Sequence, residues 1–320
     1  MGTPLMLVST PAMATCNMTG PTSQTYSYTA ANISQAAPAQ FANTWSCYST
    51  NIFGTKTFGN SNNICYRSTF DGTAVNGANS MTYTVGVNDS RNTVTNMVSN
   101  TVYGLYTTPV SGTTPLATTF TVTVPAGQAT GKAVGTYSDT AVQFAFDEQG
   151  NGGACEGNFV SSSDNWDAIN PVAYTVNYVV PSVCTLVSTS KVDFGNLASG
   201  ATIATAGVAT TGSVVVNCNA NAPYTVYLSD GGQRIAGGSR QMANGSARLP
   251  YQLYKSTSYV TSQIWDATGG TGSLGGAGGQ GGTGNGLNQS LTVYALIPGG
   301  TIVPATTGAY NDTVLVTVTY

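Results

Sequence analysis

Shifted against itself by 173 positions without a gap, the sequence matches between Val124–Phe146 and Ile297–Thr319. Pro125/Pro298, Gly127/Gly300, Gly135/Gly308, Tyr137/Tyr310, Asp139/Asp312 and Thr140/Thr313 coincide. A shorter match sets Tyr103-x-Leu105-Tyr106 against Tyr251-x-Leu253-Tyr254 at a different offset. Such self-similarity means two copies of one structural plan with different loops. In each copy the shared segment reads as a strand, a Pro-x-Gly turn and loop, then Gly-x-Tyr-x-Asp-Thr leading a second strand. Short strands divided by Gly, Asn, Ser and Thr clusters recur throughout, and no long stretch keeps the apolar period of a helix. The chain is therefore predicted to be all-β, two β-sandwiches in tandem.

The copies differ in how they finish. After Phe146 the first runs through a polar loop holding Cys155, Phe159 and Trp166, then through residues 171–180. There Val172, Tyr174, Val176, Tyr178 and Val180 share one face, as in one more strand. The second copy reaches Tyr320 with Val314, Val316, Val318 and Tyr320 on one face and Leu315, Thr317 and Thr319 on the other. The first sandwich is thus expected to complete itself and the second to be one strand short. Pro181 sets the boundary, giving domains at 15–180 and 181–320.

Charged residues make up 7% of the chain, histidine is absent and the net charge is −3, which leaves no basic patch for nucleic acid or an anionic membrane. Six cysteines with no CxxC pair favour disulfides and an oxidising compartment. Cys184 and Cys218 are alone in the second domain and are expected to pair. Cys16 and Cys47 have a similar separation at the matching place in the first, which leaves Cys65 with Cys155. Residues 1–14 read as a truncated or re-engineered secretory leader, with an Ala12-x-Ala14 cleavage site but no basic start. No apolar run reaches the ~20 residues of a membrane helix.

Motifs for chemistry are weak. Gly269–Gly286 holds eleven glycines in eighteen residues, but the segment after it reads as a strand rather than a helix, so a flexible hairpin loop fits better than a phosphate cradle. Asp139 and Asp312 recur beside Tyr and Thr, which suits carboxylates accepting local backbone N–H bonds at a strand entrance. Asp147, Glu148, Asp164 and Asp167 lack the spacing of a calcium loop and read as solvated charges. With no acid/base or nucleophilic constellation, an enzyme is not expected, nor a metal or other cofactor.

Val183-Cys184, residues 192–197 (Val-Asp-Phe-Gly-Asn-Leu), residues 214–218 (Val-Val-Val-Asn-Cys), residues 251–254 (Tyr-Gln-Leu-Tyr), residues 291–294 (Leu-Thr-Val-Tyr) and the segment from Gly308 to Tyr320 together resemble the spore coat U family. Its members are subunits of archaic, Csu-type chaperone–usher pili. The resemblance implies an incomplete immunoglobulin-like sandwich lacking its last strand. A periplasmic chaperone lends that strand during export through an outer-membrane usher, and an adjacent pilin subunit replaces it in the fibre. An additional N-terminal domain, completed by its own strand, is the plan of a two-domain tip adhesin. It implies a place at the pilus tip on the cell surface, attachment to hydrophobic, abiotic surfaces and initiation of biofilm. A lectin-like adhesin with a polar pocket near Trp166 and Tyr103, and a structural initiator or cap without a receptor, are the alternatives.

Counting strand directions back from residue 180 puts the loops near 147–170, 108–116, 71–80 and 34–41 at the end away from the linker, and those near 125–135, 89–100 and 51–63 toward it. The apolar loops at the far end are the expected surface-binding site: Ala36, Ala37, Pro38, Ala39 and Phe41; Pro109, Val110, Pro115, Leu116 and Ala117; and, more weakly, Ala74 and Val75. If one strand is misassigned, residues 126–134 replace the third loop. Val314, Val316, Val318 and Tyr320 are expected to wall the donor-strand groove.

Overall fold

In the computed structural model, residues 14–50, 56–57, 61–89, 93–110, 116–150, 172–234, 238–267, 276 and 278–320 are described. The chain is built from strands and divides into two compact units. Unit 1 extends to Ala129 and resumes at Gly135–Val180, and unit 2 takes Thr130–Val134 and Pro181–Tyr320.

Unit 1 contains β1 (Ala14–Thr19), β2 (Ser23–Ser27), β3 (Ala37–Thr50), β4 (Lys56–Thr57), β5 (Ser61–Thr69), β6 (Thr73–Asn76), β7 (Asn79–Thr82), β8 (Thr84–Asp89), β9 (Thr93–Val94), β10 (Val102–Val110), β11 (Leu116–Val124), β12 (Gly135–Gly150) and β13 (Val172–Val180). One sheet runs β1-β3-β11-β8-β9 and the other β10-β5-β12-β13-β2. Alternation along β11 and β13 turns one residue in two inward, as a half-buried strand requires. The inward aromatic rings interlock. Trp45 stacks on Phe146 at 4.8 Å, Phe120 meets Phe144 at 4.5 Å and Phe41 meets Tyr174 edge-on at 4.7 Å. Polar tips are paired: the Trp45 indole N–H donates to Thr118 and the Tyr178 hydroxyl to the Val122 carbonyl.

Unit 2 contains β14 (Cys184–Thr189), β15 (Val208–Cys218), β16 (Pro223–Leu228), β17 (Arg240–Asn244), β18 (Ala247–Tyr254), β19 (Gln280–Thr283), β20 (Asn288–Ile297) and β21 (Val316–Thr319). Its sheets run β14-β15-β20-β18-β17 and β19-β16-β21. Trp265 is fully buried between them, its indole N–H donating to the Val226 carbonyl. Arg240, also fully buried, donates to the carbonyls of Leu228, Ser229 and Trp265 and to the Gln252 side chain. Burial pushes its pKa down, but a guanidinium with this many acceptors stays charged.

The repeat extends to backbone conformation. Gly127 and Gly300 have φ of 83° and 82°, and Gly135 and Gly308 have 134° and 122°, values that favour glycine. The shorter sequence match is corrected. Tyr83, not Tyr103, corresponds to Tyr251: Tyr83 donates to Asp139 and Tyr251 to Asp312, and each Tyr comes after a hairpin turned by Asn-Gly, at Gly77 and Gly245. The gapless alignment also fails after Thr140. Three steps from Asp139 to Val142 pass two steps from Val176 to Tyr174, a β-bulge that adds one residue to β12. Val142, Phe144 and Phe146 therefore correspond to Val314, Val316 and Val318.

Loop directions are corrected as well. At the end of unit 1 where Val180 leaves the sandwich, Tyr28 N–H donates to Val179, Gly127 N–H to Ser34, and Thr82 N–H to Gln128. The loops around 28–36, 71–83 and 125–134 thus share that end. Thr50, Ser61, Val110, Leu116 and Gly150 lie at the other, with Ser61 opposite both Val110 and Gly150. The loops near 34–41 and 71–80 are consequently not at the far end, and the strand ends Thr50 and Ser61 are. A single cause inverts the count: β8 and β10 both run toward the far end, so the chain between Asp89 and Val102 crosses back instead of making a same-end turn.

The Gly-rich stretch also departs from a simple loop, because Gln280–Thr283 forms β19 against β16. A Cβ on Gly279 would sit 2.5 Å from the Val226 carbonyl oxygen, and one on Gly282 2.5 Å from the Tyr224 ring. Bare backbone is what lets the strand approach.

Candidate strand-accepting groove

In unit 1, β12 pairs with β13 over Gly135–Phe144 and, on its other side, with β5 over Gln143–Gly150. Its inward residues Val142, Phe144 and Phe146 are at most 1% exposed. In unit 2 the corresponding β21 pairs with β16, Val318 facing Val226 and Val316 facing Leu228, and with no other strand among the described residues. Val314, Val316 and Val318 lean on the core yet remain half-buried. β14, at the edge of the other sheet, pairs only with β15 among the described residues.

Between these two edges a cavity of about 250 Å³ reaches the core. Its floor is Val214, Leu228, Leu253 and Val293; Val192 and Phe194 form one wall, and Tyr310, Val314 and Val316 the other. Leu186, Val187, Leu315 and Tyr320 are large apolar residues exposed by 45–68% along the same edges. A slot with an apolar floor and polar groups on its rim, beside two edges that no second described strand pairs, offers backbone pairing and side-chain pockets to an extended chain.

Polar groups on the rim are held locally. Lys191 pairs with Asp193 at 2.8 Å, and this contact with the Gly195 N–H keeps the Asp193 carboxyl below its usual range. Tyr251 is pushed well above the ordinary phenol range by burial, then by its hydrogen bond to Asp312. Among the described residues no group of three or more His, Cys, Asp or Glu is placed to hold a metal. Asp147 and Glu148 stand in β12 rather than a loop, and Asp164 and Asp167 lie outside the described residues.

Of the predicted groove residues, Val314 and Val316 line the cavity and Val318 continues their row in β21, while Tyr320 lies just past the strand and is 54% exposed. The facing wall, Val192 and Phe194, is not among them. Its signal is present as alternation in Val192-Asp-Phe194, but the segment has no regular strand.

The predicted surface-binding residues separate. Ala37, Ala39 and Phe41 are buried, because β3 begins at Ala37 and turns them inward; Ala74 and Leu116 are buried in β6 and β11. These five are not available to a surface. Ala36, Pro38, Val75 and Ala117 are exposed. Pro109 and Val110 belong to β10, and Pro115 lies outside the described residues.

Cys184 and Cys218 are bonded, joining β14 to β15. Cys16 and Cys65 each take part in a disulfide. Cys16 lies opposite Cys47 in the β1–β3 ladder; Cys155 lies outside the described residues.

The Spore Coat Protein U domain family matches residues 171–317. No curated protein matches the sequence. A chain in the crystal structure of the CsuC–CsuE chaperone–tip adhesion subunit pre-assembly complex, from archaic Csu pili of Acinetobacter baumannii, superposes with a TM-score of 0.51 at 16% identity, covering 95% of this chain and 100% of that one. A chain of a chaperone–tip adhesin complex of CFA/I fimbriae aligns with a TM-score of 0.28 at 12% identity, covering 96% and 90%, a score too low to bear on the fold. Residues 171–317 thus match the Spore Coat Protein U domain, and the chain is similar in fold to one chain of a chaperone–tip adhesion subunit complex.

Proposed function

We propose that this chain is a two-domain tip adhesin of a chaperone–usher pilus. Unit 2 accepts a strand from a periplasmic chaperone during export, and then one from the adjacent subunit after passage through the usher. The observation that carries this reading is the contrast between β12, paired to β13 over Gly135–Phe144, and the matching segment of unit 2, which has no such partner strand among the described residues and borders a cavity of about 250 Å³ with an apolar floor. Unit 1, complete in itself, is free to make contact outside the fibre.

The end of unit 1 opposite Val180 is the proposed contact surface. Pro109 and Val110 end β10 at that surface, and the sequence between Thr50 and Ser61 holds the apolar Ile52, Phe53 and Phe58, which with Pro115 lie outside the described residues. Burying one such side chain is worth roughly 1.5–3 kcal/mol in full and less on a flat surface, so firm attachment comes from many pili acting together. The test compares polystyrene adhesion by pili carrying wild-type or Phe53→Ser/Val110→Asp tips. Normal pilus assembly with lost adhesion supports the reading, and unchanged adhesion overturns the surface assignment.

A further inference from the structure

Asp312 collects four hydrogen bonds just before the terminal strand. Oδ2 accepts from the Tyr251 hydroxyl at 2.7 Å, and Oδ1 from the amides of Gly232 at 2.8 Å, Gln233 at 3.1 Å and Thr313 at 2.8 Å. The loop wraps the carboxylate so closely that a Cβ on Gly231, at φ 86°, would lie 2.1 Å from Oδ2. Beyond this point Ser229 N–H donates to the Leu315 carbonyl, and Leu315 N–H to the Ser229 hydroxyl. Asp312 and Tyr251 both line the cavity.

The equivalent Asp139 also accepts from a tyrosine, Tyr83, and from a nearby amide, Ala141. The strands after the two carboxylates differ. β12 is held by β5 over Gln143–Gly150 and by β13 over Gly135–Phe144, whereas among the described residues the matching 308–319 are in a ladder only with β16, over Val316–Thr319. Side chains alternate with a period of two, so a slip of one residue would turn Val314, Val316 and Val318 out of the groove and Leu315, Thr317 and Thr319 into it. A strand with one ladder needs another fixed point. Hydrogen bonds to a carboxylate are stronger than neutral ones, and here they converge two residues before the first groove valine.

We propose that Asp312, oriented by Tyr251, is a positioning residue for strand acceptance: it fixes the register of residues 313–320 so that the groove wall exists before a strand arrives. This rests on reading the groove as a strand acceptor. The test uses the full chain and a synthetic peptide with the sequence of residues 172–180, which closes the corresponding edge in unit 1. Peptide affinity and amide exchange are measured for wild type, Asp312→Ala, Asp312→Asn, Tyr251→Phe and, as a control in unit 1, Tyr83→Phe.

Asp312→Ala is expected to weaken peptide binding at least about tenfold and to speed exchange at residues 314–319 while β15 and β20 keep their protection. Asp312→Asn retains an acceptor for the three amides and should recover most of the affinity; Tyr83→Phe should leave it unchanged. Should Asp312→Ala fail to fold, Tyr251→Phe decides, with an expected loss of about two- to fivefold. Wild-type affinity in Asp312→Ala, or in Tyr251→Phe when that variant decides, overturns the positioning role. Failure of the wild-type chain to bind the peptide overturns the underlying groove reading instead.

Discussion

Val318 faces Val226 across the β16–β21 ladder, as Phe146, stacked on Trp45, faces Tyr66 across the β5–β12 ladder. The units differ just before this pair: Gly135–Phe144 also pairs with β13, while the matching residues 308–316 have no strand in that place among the described residues. Substitutions at matched positions should therefore behave differently.

Phe144→Ala should destabilise unit 1 by about 3–5 kcal/mol, because a fully buried ring leaves a cavity between two sheets. Val316→Ala removes a smaller, half-buried side chain and should cost unit 2 about 1 kcal/mol, while weakening strand-peptide binding. Denaturant melts of the two variants, followed by signals that separate the units, check this. Equal losses would mean that unit 2 is as closed as unit 1.

Gly308→Ala places a side chain at φ 122° with its Cβ 2.9 Å from the Asn244 amide nitrogen. A strained backbone of this kind costs of order 1–3 kcal/mol. Thermal unfolding of unit 2 should shift down accordingly, and Gly135→Ala should do the same to unit 1, where its Cβ would lie 2.6 Å from the Asn76 amide nitrogen.

Alkaline pH should unfold the protein through its tyrosines. Burial pushes Tyr28 up to about 12, and raises Tyr66, Tyr83, Tyr174, Tyr178 and Tyr251 further. Their folded pKa values exceed the unfolded one, so their contribution is fully present below pH about 10 and is lost as pH rises beyond it. Absorbance of tyrosinate should show exposed tyrosines titrating first, then a cooperative rise coincident with loss of β-sheet circular dichroism. A single smooth titration of all tyrosines with the fold intact would contradict this.

Reduction of Cys184–Cys218 frees β14, an edge strand held on one side, from β15. The loss should be about 2–5 kcal/mol. Unit 2 of a Cys184→Ser/Cys218→Ser chain should melt earlier while unit 1 is unchanged.

Much of the fold is legible in the sequence because its strongest signals are local. The Pro-x-Gly turns, the paired Asp residues and the alternation over 172–180 each arise from backbone geometry at their own positions. Loop placement is not legible, since it depends on every intervening strand direction, and the crossing between Asp89 and Val102 has no period of its own. Burial of Phe41 and Leu116 is hidden for a related reason: an apolar residue at a strand end looks the same in sequence whether it points in or out. For the groove, one wall can be read from the valine row at 314–318. The facing wall, at Val192 and Phe194, is an extended segment without a ladder and becomes visible only in three dimensions.

If the edge left without a strand in unit 2 receives one, amide hydrogen exchange on the full chain should register it there, with and without saturating peptide of sequence 172–180. A strand bound as β13 is in unit 1 should protect residues 308–316 and stabilise unit 2 by about 2.7 kcal/mol at a hundredfold excess over Kd, leaving β12 and β13 as they were. Unchanged exchange at 308–316, or protection elsewhere, would contradict strand acceptance.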